Sequence, residues 1–131
     1  MCDARGMAST SEDRDEIRDL FARYCVHMDA GEAAEWAALF TEDGVFDMGT
    51  GPIVGREALA VFAGSIGGSM HHMVMNEVID VDGDVASSHV SLLVVAGGQL
   101  STTGRYRDTL RREDGRWHLA KRTLTLDTTG D

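Results

Sequence analysis

The chain has 131 residues, enough for one domain with a single hydrophobic core. Its formal net charge is −10, from 22 acidic and 12 basic residues, which argues against nucleic acid and anionic membranes as partners. No apolar run approaches the ~20 residues that span a bilayer, and the 2 cysteines make no disulfide framework, so we expect a reduced, cytoplasmic protein.

The amino-terminal half predicts three helices. We expect residues 1–10 to form a disordered lead-in and a helix to begin near Ser11, because acidic residues follow at the positive end of its dipole. Gly31 is expected to end this helix, and further helices are expected over 32–40 and 56–63. One buried face of the first helix is predicted by the spacing of Ile17, Leu20, Phe21, Tyr24 and Met28.

The carboxy-terminal half predicts an antiparallel meander. Its long strands are separated by short glycine-containing turns and are expected over 72–81, 85–96, 99–112 and 116–126. A short strand is also expected over 45–48, before a loop over 49–55. Helices followed by strands joined through hairpins predict an α+β architecture, with helices covering one face of a curved sheet.

Asp108 is the most informative residue of these strands. It alternates with basic residues and shares its predicted face with Leu100, Tyr106 and Leu110. An ionised carboxylate out of water must be paired or protonated. Three explanations stay open: a functional carboxyl group, a bulge that turns the side chain outward, and a buried ion pair with Arg122.

A set of short motifs occurs in a characteristic order over residues 13–127. The motifs are Phe21-Ala22-Arg23-Tyr24, Asp29-Ala30-Gly31-Glu32, Leu39-Phe40-Thr41-Glu42-Asp43-Gly44-Val45-Phe46, Gly55-Arg56-Glu57-Ala58-Leu59, His72, Val81-Asp82-Gly83-Asp84-Val85-Ala86, Gly104-Arg105-Tyr106-Arg107-Asp108 and Asp114-Gly115-Arg116-Trp117. With them the chain resembles the SnoaL-like branch of the nuclear transport factor 2-like superfamily, which includes scytalone dehydratase, ketosteroid isomerase and polyketide cyclase relatives.

The resemblance implies a single domain over 11–131, shaped as a cone-like roll. Three amino-terminal helices would pack on a strongly curved, mostly antiparallel sheet around an apolar pocket. The pocket would take a hydrophobic small molecule, and members of the family commonly form homodimers through the outer sheet face. The fold hosts dehydratases, isomerases, cyclases, epoxide hydrolases and inert subunits, so it does not by itself define a function.

The resemblance also suggests four catalytic residues. Tyr24 is similar to the oxyanion-hole tyrosine of ketosteroid isomerase, and Asp108 to that enzyme's protonated carboxylic acid. His72 resembles the pocket histidine of scytalone dehydratase, and Asp29 the aspartate that accompanies it. Met48 stands at or next to the position of the isomerase's base and cannot accept a proton. The family's bile-acid dehydratases also have a pocket histidine that His72 resembles. Neither dehydratase site is complete here, because residues 101–104 lack the second histidine of scytalone dehydratase and the stretch near 94–95 lacks the aspartate of the bile-acid enzymes.

These residues suit proton abstraction next to a carbonyl group. An imidazole titrates near neutrality, so His72 would act as the base, Asp29 or Asp108 would orient it, and Tyr24 would polarise the carbonyl. No cofactor is expected, and no metal site, because the sequence has no CxxC or HExxH motif. The residues expected to bind the substrate are Trp36, Phe46, Met48, Phe62, Val74, Asn76 and Tyr106.

We therefore expect a small cofactor-independent lyase, isomerase or cyclase acting on a hydrophobic carbonyl compound, polyketide- or steroid-like. Proton abstraction would lead to dehydration, a double-bond shift or ring closure. Two alternatives stay open. One is a non-catalytic binding or structural protein of the same fold. The other is an epoxide hydrolase using Asp108 and Arg122, for which the sequence offers no convincing second aspartate on a neighbouring strand.

Overall fold

The structure is a computed structural model that describes the backbone of residues 4–127 and the side chains of residues 10–127. Within that range three helices and six strands follow one another. Their bounds are α1 (Ala4–Asp29), α2 (Ala33–Ala37), β1 (Phe40–Asp47), β2 (Ile53–Val54), α3 (Arg56–Ile66), β3 (His71–Asp82), β4 (Val85–Ala96), β5 (Gln99–Glu113) and β6 (Arg116–Leu126).

The strands form one curved sheet in the order β2-β1-β6-β5-β4-β3. The β1–β6 pair is parallel and the other pairs are antiparallel. The long helix α1 packs against β3 and β6, while α2 and α3 pack on each other beside β1. This arrangement confirms the predicted α+β fold with three helices on a mostly antiparallel sheet. No helix of the described chain is long and apolar enough to cross a bilayer.

The predicted bounds of β4 and β6 agree with the structure, whereas the first helix and first strand start earlier. Helix α1 begins at Ala4, because no residue between Ala4 and Ser11 stops a helix. The acidic residues that follow Ser11 favour a helix start at that point but do not require one. Of the disordered lead-in expected over 1–10, residues 4–10 belong to α1, and residues 1–3 lie outside the described residues. Strand β1 begins at Phe40, which pairs with β6 before a bulge, so α2 ends at Ala37.

Two bulges change which face a side chain occupies. In β3 the register shifts between Met75 and Val78, and Asn76 there has a φ of 55°. In β5 the register slips by one residue as Val95 pairs with Leu100. One inserted residue inverts the alternation that follows it. Val78 is therefore exposed, although alternation from His72 would place it on the same face, and Leu100 is exposed, although it was predicted to share the face of Tyr106.

Glycines shape the junction between α1 and α3. Gly31, with a φ of 74°, ends α1 as predicted, because a residue without Cβ adopts the left-handed conformation without strain. A Cβ on Gly67 would lie 3.1 Å from the Met28 carbonyl oxygen, and Gly68 donates its N–H to that oxygen at 3.3 Å. This close approach holds the end of α3 against the last turn of α1, where Asp29 lies.

Candidate functional site

An apolar cavity of about 220 Å³ lies between α1, α3 and the concave face of the sheet. Its walls come from residues on all three layers: Tyr24, Met28, Phe46, Met48, Phe62, Ile66, Met70, His72, Leu92, Val94, Thr102, Tyr106, Leu124 and Leu126. Tyr24 and Tyr106 are fully buried, whereas Leu126 is 45% exposed. The cavity therefore closes at the two tyrosines and opens beside Leu126.

His72 and Asp29 form a hydrogen-bonded pair at the wall of this cavity. The Nδ1 atom of His72 lies 2.7 Å from Asp29 Oδ1, and the His72 backbone N–H donates to both Asp29 oxygens at 3.0 and 3.1 Å. A carboxylate only accepts hydrogen bonds, so Nδ1 carries a proton, and in the neutral imidazole Nε2 is the nitrogen with the lone pair. Asp29 thus has a specific partner that offsets its unfavourable place at the negative end of α1.

Tyr24 and Tyr106 line the closed end of the cavity. Their rings pack edge to face with centroids 5.6 Å apart. Burial raises the pKa of Tyr24, although the charge of Arg122 and a hydrogen bond from Tyr106 partly oppose it. Burial raises the pKa of Tyr106 further, helped by the neighbouring Tyr24. Both phenols are therefore protonated near neutral pH and are available as hydrogen-bond donors.

Asp108 is buried but does not line the cavity. Arg122 donates from Nε and Nη2 to the two Asp108 oxygens at 2.7 and 2.9 Å, and the Ser88 hydroxyl donates to the same carboxylate at 2.7 Å. Burial alone would lower the pKa of Arg122, but the charge and hydrogen bonds of Asp108 raise it. The buried ion pair, one of the three explanations offered by the sequence, is the one present. A carboxylate that accepts three hydrogen bonds is not the protonated donor that the resemblance suggested.

The expected substrate-binding residues divide into two groups. Phe46, Met48, Phe62 and Tyr106 line the cavity as expected. Trp36, Val74 and Asn76 do not. Trp36 is fully buried behind the wall, with its ring centroid 5.3 Å from that of Tyr24. Val74 packs against the core further along β3, and the bulge exposes Asn76.

Much of the lining was not identified from the sequence as cavity wall. It comes from the inner faces of β4, β5 and β6 and from the end of α3: Ile66, Leu92, Val94, Thr102, Leu124 and Leu126. Alternation along β4 did predict which of its residues face inward. Which of them meet the cavity depends on the sheet's curvature, for which the sequence carries no local signal.

A larger surface depression lies elsewhere and lacks this chemistry. It occupies about 740 Å³ between α1, α2 and the β5–β6 turn, and its polar groups are partly satisfied within the protein, as where Glu16 accepts the Trp117 backbone N–H at 2.7 Å. No group of three His, Cys, Asp or Glu side chains among the described residues could hold a metal ion. We therefore place the candidate site in the smaller, apolar cavity.

Comparison with known proteins identifies the class to which this fold and cavity belong. Residues 9–123 match the family model for the SnoaL-like domain, so the chain belongs to that family within the nuclear transport factor 2-like superfamily. That family includes dehydratases, isomerases and cyclases. No curated protein matches the chain.

Three solved structures illustrate the similarity. A variant of Rv3472 from Mycobacterium tuberculosis, of unknown function, is 30% identical with a TM-score of 0.87, over 95% of this chain and 77% of that one. A nuclear transport factor 2-like protein with a cystatin-like fold from Novosphingobium aromaticivorans is 27% identical with a TM-score of 0.85, over 98% and 90%. A Catenulispora acidiphila structure in complex with S-DNPA is 28% identical with a TM-score of 0.72, over 87% and 92%.

Proposed function

We propose that this protein is a cofactor-independent lyase, isomerase or cyclase that removes a proton next to the carbonyl group of a hydrophobic ring compound. The observation that carries the proposal is the Asp29–His72 pair at the wall of an apolar cavity that Tyr24 also lines. A base, its orienting carboxylate and a hydrogen-bond donor are the groups that enolisation requires.

The proposed reaction begins with the substrate carbonyl accepting a hydrogen bond from Tyr24. His72 Nε2 then takes a proton from the adjacent carbon, and Asp29 stabilises the imidazolium through Nδ1. The electron pair of the broken C–H bond forms the enolate, whose oxygen Tyr24 stabilises. Return of the proton from His72 to another carbon shifts a double bond. Its return to a leaving hydroxyl releases water. In the third outcome the enolate carbon attacks a second carbonyl carbon and closes a ring, and His72 returns its proton to the alkoxide oxygen that forms.

The apolar walls support a hydrophobic, polyketide-derived ligand. Apart from Tyr24, His72, Thr102 and Tyr106, every lining residue is aliphatic, aromatic or methionine. Methionines at positions 28, 48 and 70 can adapt to the outline of a bound ring. Small-molecule sites usually have an apolar wall that carries a few polar groups.

The test is hydrogen–deuterium exchange at the carbon next to the carbonyl of 2-tetralone, a two-ring ketone, followed by proton NMR in D₂O. Exchange needs only the proton abstraction and no knowledge of the natural substrate. We expect the wild type to accelerate exchange, His72→Gln to lose about 10²–10⁴-fold and Tyr24→Phe about 10²-fold. The matched control is His118→Gln, because His118 does not line the cavity and its ring lies 3.0 Å from the Arg116 carbonyl oxygen, so the exchange rate should be unchanged.

Two results would count against the proposal. Equal rates for His72→Gln and the wild type would exclude His72 as the base. If the wild type binds 2-tetralone without accelerating exchange, the protein acts as a binding protein with the same cavity, which is the second candidate function.

We propose in addition that two copies associate through the outer face of the sheet. That face of β3 exposes a row of apolar side chains, with Met73 at 40%, Met75 at 39% and Val78 at 59%. Light scattering coupled to size-exclusion chromatography should give a dimer for the wild type and a monomer for Met75→Glu. Val61→Glu, on the exposed face of α3, is the control and should stay dimeric.

A further inference from the structure

The guanidinium of Arg122 lies beneath the closed end of the cavity. It is fully buried, and its carbon Cζ is 3.7 Å from the ring centroid of Tyr106, 4.4 Å from that of Tyr24 and 5.0 Å from that of Phe21. Asp108 takes the hydrogen bonds of Nε and Nη2, while Nη1 has no acceptor in hydrogen-bond geometry. A full positive charge with a spare donor therefore adjoins both tyrosines.

The sheet register orders the charges in layers. Ser88, Asp108, Arg122 and Phe46 are direct neighbours across four adjacent strands. Two residues nearer the cavity mouth, Tyr106 pairs with Leu124, and both of these line the cavity. The ion pair therefore lies in the layer of residues beneath the closed end of the cavity.

The ion pair also has a direction. Arg122 lies over the tyrosine rings, whereas Asp108 is held from its other side by Ser88. The positive end of the pair therefore lies against the two tyrosines that line the closed end of the cavity.

Stability alone does not account for such a pair. Desolvating two charges offsets most of their attraction, and hydrophobic replacements of a buried pair are often neutral or stabilising. A positive charge directly beneath a ligand cavity can instead act on the ligand, because its electric field stabilises negative charge there.

We propose that Arg122 is a positioning residue that places a fixed positive charge behind the hydroxyls of Tyr24 and Tyr106. The closed end of the cavity would therefore bind an anionic oxygen, a phenolate or an enolate, on a compound of one or two rings. The size follows from the cavity volume of about 220 Å³, since an apolar cavity of about 150 Å³ holds benzene. This rests on the proposed function for its ligand class, but it concerns binding and not proton transfer.

The electrostatics of the tyrosines agree with this arrangement. Burial raises the pKa of both phenols, and the charge of Arg122 opposes that rise in each. The hydrogen bond between the two tyrosines lowers the pKa of Tyr24 and raises that of Tyr106, so Tyr24 is the phenol whose charge this surrounding tolerates better.

The experiment compares 4-nitrophenol with nitrobenzene, which has nearly the same shape and no ionisable oxygen. The variant is Asp108→Leu with Arg122→Met, which removes one negative and one positive charge and so leaves the net charge at −10. We expect the wild type to prefer 4-nitrophenolate over nitrobenzene, and the double variant to lose that preference by about tenfold or more while binding nitrobenzene unchanged. Tenfold corresponds to ~1.4 kcal/mol.

A second measurement needs no variant. The visible absorbance of 4-nitrophenolate reports the ionisation of the bound ligand directly, and we expect binding to the wild type to lower the ligand's pKa. An apolar cavity without a directed charge would raise it. A raised pKa, or an unchanged preference in the double variant, overturns the proposal. Failure of 2-tetralone exchange with a lowered 4-nitrophenol pKa would refute only the proposed catalysis.

The size limit is tested with two phenols. 2-Naphthol has two rings and should displace 4-nitrophenol. Estradiol has four rings, and its affinity should be lower than that of 2-naphthol by about tenfold or more. Equal displacement by both would show that the cavity opens to larger ligands and would overturn the one- or two-ring limit.

Discussion

Breaking the buried Asp108–Arg122 pair from one side is predicted to be far more damaging than removing it altogether. Arg122→Met leaves a carboxylate that is shielded from water and hydrogen-bonded by the Ser88 hydroxyl alone. Uncompensated buried charges of this kind cost about 3–5 kcal/mol. Unfolding entropy is ~2.1 cal/mol/K per residue, or about 275 cal/mol/K over 131 residues. A loss of about 4 kcal/mol therefore lowers Tm by ~15 °C.

The assay is urea unfolding together with calorimetry on both single variants and on the double variant. Asp108→Leu with Arg122→Met should lie within about 1–2 kcal/mol of the wild type, because leucine and methionine fill similar space without charge. The control is Arg105→Met. Arg105 pairs with Asp127 at 3.0 Å, but both side chains are more than 40% exposed, so at most ~1 kcal/mol should be lost. Single-variant losses no larger than that of the control would refute the reasoning.

Three further predictions concern backbone packing and pH. Gly104→Ala should destabilise by about 1–3 kcal/mol because its Cβ would lie 2.7 Å from a carbonyl oxygen of β6, whereas Gly64→Ala in α3 has 3.8 Å of room and should stabilise by about 0.5–1 kcal/mol in urea unfolding. The raised pKa values of Tyr24 and Tyr106 mean that stability is intact below the unfolded value of about 10 and lost as pH rises beyond it, so replacing both by phenylalanine should flatten the alkaline fall of Tm. Burial would raise the pKa of Asp13, but hydrogen bonds from an arginine of β5 and a tryptophan of β6 lower it overall. Asp13→Asn should therefore lose about 1.5–3 kcal/mol at neutral pH and progressively less as the pH falls below the unfolded carboxyl value of 3.8.

The fold was predictable because its signals are local. Glycine turns mark the hairpins, and alternation identifies the inner face of β4 along its whole length. The wrong expectations about strand faces share one cause. A bulge adds one residue that no pattern marks, and it reverses the faces of Asn76, Val78 and Leu100.

The candidate site was predictable only where a specific conflict appeared in the sequence. Asp29 stands at the unfavourable end of a helix, and the resemblance gave Asp29 or Asp108 as the residue that orients His72. In the structure His72, 43 residues further on, contacts Asp29 through two hydrogen-bonding groups. For Asp108 the sequence left the ion pair open. The choice depended on the register that sets Asp108 directly across from Arg122, which is a property of the assembled sheet.

Asp29 and Asp108 bind different partners, a histidine and an arginine, and the two pairs are therefore suited to different roles. Asp29 orients an imidazole, which can lose and regain a proton near neutral pH, and that imidazole reaches the cavity. Asp108 orients a guanidinium, which keeps its proton at any pH the fold survives, and that group stays behind the wall. Proton abstraction leaves negative charge on the substrate oxygen. One pair is therefore suited to moving the proton and the other to stabilising the charge that its departure creates.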